Sequence, residues 1–472
     1  MKNRDVSVSS AQGMHLSKTL NIVETVSLAA SDISPTSGVF LNMPVAIVMV
    51  GTGSFLVSLM AGIIAVCVAL TMAEVGSAFP KSGGIYSVIH RVMGKKIGFL
   101  ALVAYLVEGV FIPAVTSMGS ATYLAAVFPA LKVNLLAPAL MLIAMLISIA
   151  NISSTGKFTT FLLALELLVV LTITIACLLN LKQPVSVLFS TQVIHGNSFS
   201  NVSWPTIFST IAVMLFSFNG FDSALNFSEE MSGNQKSIGR SVFGAASIGI
   251  IAQLIPLTVI LLAAPSLKGF LKSSNPILYV SNDVLGPTMH DFLSLGISLA
   301  MFACTISVLL QFSRVLYTSG RDNMWPKTIN HFLQSIHPKF KTPWEATLFL
   351  GVVDIFLNFV SNLGDLISFT SVLVVLLYAL IGICDIIARG KKVSFPYKNT
   401  FGIMAPIITI VASVYVLSRQ TFINLLISLV ILAVSFIYVS LFKKADTIDL
   451  NLWLLCITCK FLDWMGLWRE KF

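Results

Sequence analysis

Charge is what this chain has least of. Only 10% of its 472 residues are Asp, Glu, Lys or Arg, against 56% hydrophobic ones, whereas a soluble domain carries roughly 25% charged residues. That excludes an ordinary soluble fold and implies an all-α polytopic membrane protein. Chemistry-bearing side chains are scarce as well. The six histidines, His15, His90, His195, His290, His331 and His337, fall in tails, loops or span edges, which excludes a histidine proton relay at mid-membrane. Four of the six cysteines, Cys67, Cys177, Cys304 and Cys384, are scattered through apolar runs, where the thiol behaves as a small apolar group. Cys456 and Cys459 make a lone CxxC with no second pair or nearby His, so it reads as incidental rather than as a metal or acylation site. There is no spaced His/Asp metal set, no nucleophile beside a base and no Gly-rich phosphate loop. A membrane-embedded enzyme is therefore the lesser reading, and neither metal nor cofactor is expected. The polar stretch Met1 to Lys18 lacks an apolar core with a small-residue cleavage site, so no removable signal peptide is expected.

What the chain has in abundance is long apolar runs. Some 17 to 25 mostly apolar residues span a bilayer, and twelve such runs occur, near 22–48, 52–78, 97–128, 133–151, 158–180, 204–228, 241–265, 291–317, 345–361, 364–388, 400–418 and 421–442. With the N-terminus in the cytoplasm, every Lys and Arg lies on the cytoplasmic side except Lys132, Lys182, Lys268, Lys272, Arg419 and the in-span Arg314. This positive-inside bias places both termini in the cytoplasm, so the net charge of +9 signals topology rather than a nucleic-acid partner. The layout is a tail (1–19), spans one to five (20–180), six to ten (204–388), eleven and twelve (400–442) and a cytoplasmic tail (443–472). That last tail mixes Lys443, Lys444 and Lys460 with Trp453, Trp464 and Trp468, a composition suited to the headgroup level.

Two spans are interrupted. The first holds Ser31-Asp-Ile-Ser-Pro-Thr-Ser-Gly-Val-Phe40, and the sixth holds Met214-Leu-Phe-Ser-Phe-Asn-Gly-Phe-Asp-Ser-Ala-Leu225. A helix broken at mid-depth exposes backbone groups that hydrocarbon leaves unsatisfied, and in transporters such breaks form the substrate site. They lie five spans apart, an odd number that inverts the second copy. Spans one to five and six to ten then make a five-plus-five inverted repeat with broken helices 1 and 6, and helices 11 and 12 are an appendage.

Three stretches carry a family resemblance. Thr36-Ser-Gly-Val-Phe40 resembles the Gly-Ser/Thr-Gly-Ile-Phe signature in the first helix of the amino acid/polyamine/organocation (APC) transporter superfamily, with Thr36 in place of the first glycine. Ala73-Glu-Val-Gly-Ser-Ala-Phe-Pro-Lys-Ser-Gly-Gly-Ile-Tyr86 is similar to that family's stretch after helix two. Phe218-Asn-Gly-Phe-Asp-Ser-Ala224 with Ser228-Glu-Glu230, then Ser313 to Asp322 and Pro326-Lys327, matches helix six and the stretch after helix eight. The resemblance implies movement of amino acids or related amines by alternating access, as a bacterial-type permease of the inner membrane. It also implies roles. Amides at Ser37, Gly38 and Val39 would receive a substrate carboxylate, in keeping with the positive end of a helix, and Thr36 beside them is counted in the substrate site, where it alters how closely a ligand can approach the backbone. Carbonyls around Phe216, Ser217 and Asn219 would receive an amino group, and Phe216 stands where the family's exchangers have an aromatic gate, suited to covering an ammonium.

Coupling falls to buried carboxylates, which low dielectric makes titratable near neutrality. Glu108 lies about 16 Å into the third span and Glu166 about 12 Å into the fifth, at 1.5 Å per residue. Many APC relatives resemble one another in having Lys where this chain has Glu166, so that lysine's role does not transfer. Asp32 and Asp222 flank the two breaks. Glu108 and Asp222 are both substrate-binding and coupling candidates, and Asp32 and Glu166 are coupling candidates alone. Asp354 and Asp385 read as packing or helix-end groups. Glu74, Glu229, Glu230, Arg321 and Asp322, toward the cytoplasmic ends, suit gating ion pairs. The expected function is proton-coupled symport or exchange of an amino acid or amine. A membrane-embedded enzyme or a non-transporting ligand sensor is the alternative.

Overall fold

The computed structural model describes residues 20–442 apart from positions 151, 197, 274, 361 and 362. The tails 1–19 and 443–472, with Cys456 and Cys459, lie outside the described residues. Apolar runs fold as helices because hydrocarbon offers a backbone polar group no partner but another one. The first run does so in pieces. α1 (Ile22–Ile33) opens on a capping box in which Asn21 and Glu24 each accept the other's amide. It stops at Ser34, whose φ of 46° and ψ of 80° are left-handed, because Pro35 disfavours the helical region for the residue before it. Proline suits a first helical position, so α2 (Pro35–Ser37) resumes at once, followed by a π-helical turn over Gly38–Asn42 and α3 (Met43–Val50). The interruption expected over residues 31–40 is therefore one left-handed residue and a widened turn.

α4 (Ser54–Ala78), α5 (Gly84–Met93), α6 (Lys95–Val127), α7 (Val133–Ile149) and α8 (Ile152–Leu178) follow. The connection expected as plain loop near 181–203 carries a 3₁₀ turn, Val185–Phe189, and a hairpin of β1 (Gln192–His195) and β2 (Ser198–Asn201), with Gln192 opposite Asn201. The Thr52 hydroxyl ties it to the α3–α4 corner by donating to the Ser190 carbonyl at 2.9 Å. The sixth run splits into α9 (Trp204–Ser217) and α10 (Ser223–Asn226), and α11 (Gln235–Ala263) and α12 (Leu267–Lys272) come next. α13 (Pro276–Arg321) begins well before the expected position 291 and kinks at Gly286, where φ is 73°. Asn275 caps its first turn and Pro276 starts it; the polar residues Asn282 and Asp283 hide this turn from an apolar count. α14 (Lys327–Leu333), α15 (Trp344–Val360), α16 (Leu363–Gly390), α17 (Met404–Leu417) and α18 (Phe422–Phe442) complete the chain.

Six helical stretches among the described residues are long and apolar enough to cross a membrane, and shorter apolar helices accompany them. Burial separates core from periphery: 83% of the apolar window of α13 is buried, against 22% in α18. α13 packs on α6 and α8, α4 on α11, and α1 wedges among α8, α11 and α13.

The end of the molecule at Leu20 is closed. Leu20 donates its amide to the Glu230 carbonyl at 3.0 Å and accepts from the Ser232 amide at 2.8 Å, forming a parallel bridge to Met231. Arg321 grips Glu229 with two nitrogens at 2.6 and 2.8 Å. Arg314, fully buried, pairs with Glu230 at 2.5 Å and stacks over Phe227 at 5.1 Å. Arg389 joins Glu74 at 2.5 Å and Asp385 at 2.8 Å, so Asp385 is an ion-pair partner rather than a packing or helix-end group. Tyr86 donates its hydroxyl to Asp322 at 2.7 Å. Burial pushes the Asp322 carboxyl up, but the contacts from His90 and Tyr86 outweigh it and hold the group below its ordinary value of 3.8.

Candidate functional site

The two breaks touch. α9 ends at Ser217, and the chain turns through Gly220 at φ +120°. A Cβ there would lie 2.6 Å from the Ile33 amide nitrogen and 2.8 Å from the Asp32 carbonyl carbon, so only glycine lets the second break lie against the first. Gln253 of α11 holds the second break from the side: it accepts from the Ser217 hydroxyl at 2.6 Å and donates to the Ser217 carbonyl at 2.9 Å. A Cβ on Gly38 would collide with that same Gln253 side chain.

Beside the contact lies a cavity walled by Asp32, Ser34, Ser37, Thr116, Phe216 and Asn219. Asp32, Ser37, Phe216 and Asn219 were expected at the site. Thr36, Gly38, Val39, Ser217, Glu108, Glu166 and Asp222 are not among its lining residues. Cys304, Asn42 and Thr116 also line the cavity without having been expected there. Cys304 looked like a span filler, and its thiol donates to the Asp32 carbonyl at 3.4 Å.

Most of the backbone groups around the two breaks are engaged within the chain. Thr36 donates its amide to Glu166 Oε1 at 2.8 Å, and the Ser34 hydroxyl donates to the same oxygen at 3.0 Å. The Ser37 amide reaches Ser34 Oγ at 3.3 Å and the Gly38 amide reaches the Ser34 carbonyl at 2.9 Å. Opposite them, the Phe216 carbonyl accepts from the Asn219 amide at 3.1 Å, and the Ser217 carbonyl is held by Gln253. The physical reason is the sharpness of the first break: with helix resuming at Pro35, Ser34 lies close enough to cap the new turn.

The remaining carboxylates belong to two linked networks. Asn219 donates its amide to Glu108 and accepts from the Tyr378 hydroxyl at 2.7 Å. Asp222 accepts from the Tyr105 hydroxyl and from Gln311 at 3.2 Å, while Asn226 and Gln311 donate to Tyr105 at 2.8 and 2.6 Å. Asp32, Glu108, Glu166 and Asp222 are all buried. Among the described residues none of the four forms an ion pair. Glu166 Oε2 and Asp222 Oδ1 have no hydrogen-bond partner. Tyr105, Gln253, Gln311 and Tyr378 were not anticipated. The one signal for the glutamines was a buried amide side chain within an apolar run.

Residues 20–458, almost the whole chain, match the amino acid permease family. The chain belongs to that family. Among similar proteins is a branched-chain amino acid permease of Bacillus subtilis, 22% identical over 76% of this chain and 78% of its own length. A low-affinity putrescine importer of Escherichia coli is 23% identical over 64% of this chain and 68% of its own. A serine/threonine exchanger of Bacillus subtilis is 26% identical over 76% of this chain and 81% of its own. The permease is thus an all-α, multi-pass membrane protein of the APC superfamily, and the transporter relatives point away from an enzyme.

Proposed function

We propose that this permease carries an amino acid or a related amine across the cytoplasmic membrane by alternating access, with the substrate seated between the breaks at Ser34 and Gly220. The carrying observation is the cavity bounded by both breaks and backed by a closed, ion-paired end. Secondary transport needs a site at mid-depth that faces one side at a time, and broken helices meeting at a polar cavity meet the first requirement. The arrangement also supports residues 20–180 and 204–388 as inverted repeats, with α17 and α18 appended and both termini cytoplasmic. In that frame the closed end faces the cytoplasm, as it would in a bacterial inner-membrane protein.

Asp32 and Asn219 present polar groups to the substrate, Phe216 covers it, and Ser37 offers its hydroxyl. Glu108 acts through Asn219, and Asp222 through Tyr105. Asp32, Glu108, Glu166 and Asp222 are the groups available to take up a proton, because they are buried without a permanent counter-charge. The relatives include permeases, an importer and an exchanger, which supports transport by either symport or exchange and no covalent chemistry. Labelled leucine, serine and putrescine offered to proteoliposomes test the reading. Uptake driven by an inward pH gradient marks symport, and uptake stimulated by internal substrate marks exchange. Absence of uptake for all three compounds, with and without internal substrate, would sink the proposal.

A further inference from the structure

Within the transport reading above, we propose that the substrate is an organic cation that carries no carboxylate, a primary amine or diamine rather than an α-amino acid. Two independent features lead there. The first is what already occupies the head of α2. An α-carboxylate would take the amides of Thr36 and Ser37, the free donors that this helix start offers to an anion. Here each has an internal acceptor: Glu166 Oε1 for Thr36 and Ser34 Oγ for Ser37. Glu166 is a carboxylate supplied by the protein itself and held by two donors at once. An incoming carboxylate would have to displace it, stranding a buried acidic side chain whose second oxygen already lacks a partner.

The second feature is the charge of the surroundings. Asp32 lies on the cavity wall, and Asn219 on the same wall is bonded to Glu108. Asp222 and Glu166 are buried close behind, and among the described residues none of these carboxylates meets Lys, Arg or His. A substrate carboxylate would enter a pocket of acidic side chains with no cation to receive it, and that juxtaposition is what builds discrimination against it. An ammonium group meets the opposite situation. Asp32, Phe216 and the Asn219–Glu108 pair offer it a carboxylate, an aromatic face and a polarised amide.

The test uses the purified full chain with a matched pair of probes. Ornithine is putrescine plus one α-carboxylate, so the ratio of their affinities reads the effect of that group alone. Putrescine is expected to bind at least about tenfold more tightly than ornithine, and leucine to bind more weakly still. Glu166→Ala uncovers the Thr36 amide and should shift the ratio toward ornithine by about tenfold or more. Glu166→Gln keeps an oxygen on that amide and should keep the preference for putrescine. Ornithine or leucine binding to the unaltered protein as tightly as putrescine overturns the inference and leaves transport standing. So does an unchanged ratio in a folded Glu166→Ala protein. If that variant does not fold, the unaltered protein and Glu166→Gln still decide. No binding or uptake of any of the three removes both readings together.

Discussion

At the scale of single residues, the site is governed by positions where an atom is missing or a partner is exclusive. Gly220 is the clearest case: its φ of +120° and the 2.6 Å approach to the Ile33 amide leave no room for a methyl group. Gly220→Ala is therefore expected to lower stability by about 1–3 kcal/mol from backbone strain alone and to abolish uptake by separating the breaks. Thermal unfolding and proteoliposome uptake measured on one preparation check both parts, and full uptake in the variant would contradict the close contact. Arg314 and Glu230 illustrate exclusivity, since both are fully buried. Removing one charge strands the other, so Arg314→Leu should cost about 3–5 kcal/mol, whereas Arg314→Leu with Glu230→Leu should recover most of it. Denaturation of the two variants gives the comparison, and a double variant no better than the single one would refute it. Asp32, Phe216 and Asn219 were legible in the sequence because they flank a visible break. Gln253 was not, because a lone amide in an apolar run says nothing about which distant carbonyl it will hold. Thr36 and Glu166 were each singled out, but that one would satisfy the other depends on the packing of α8 against α2, which no local pattern encodes.

At the scale of elements, local chemistry decided where each helix stops, and most of that was readable. Pro35 marks the first break and Gly220 the second, and the apolar runs locate α4, α6, α7 and α11 to within a few residues. The misreadings have a common cause. Asn275 and Pro276 start α13 with a cap and a proline, signals that do not depend on hydrophobicity, and the polar turn they begin is invisible to a count of apolar residues. The hairpin of β1 and β2 escaped for a similar reason: four-residue strands paired only with each other carry little pattern, and Thr52 anchors them across a long stretch of sequence. The break itself behaves as a hinge with almost no slack. α1 spans 12 residues, about 18 Å at 1.5 Å per residue, and a single residue, Ser34, joins it to α2. A joint of one residue leaves few dihedral angles to absorb a motion, so alternating access, if α1 takes part in it, would have to move α1 as a rigid piece.

At the scale of the whole molecule, what moves is set by what is tied together. α1 meets the second broken helix twice, at Gly220 beside Ile33 and at Leu20 beside Met231. Ion pairs join this unit to α13 through Glu229–Arg321 and Glu230–Arg314. On the alternating-access reading, opening the closed end parts those pairs while the Leu20 contact stays whole. A disulfide in the Leu20→Cys, Met231→Cys double variant should therefore leave uptake intact, and a reducible bifunctional thiol cross-linker spanning Glu229→Cys and Arg321→Cys, which lie too far apart for a direct disulfide, should arrest it until reduced. Arrest by the first cross-link would mean that the two half-helices travel separately. The bridge at Leu20 is built from main-chain atoms: Leu20 N to the Glu230 carbonyl, and Ser232 N to the Leu20 carbonyl. Main-chain bonds are indifferent to which side chains surround them. Substitutions that rework the pocket can therefore alter which cargo is accepted while leaving the main-chain seam between the two half-helices in place.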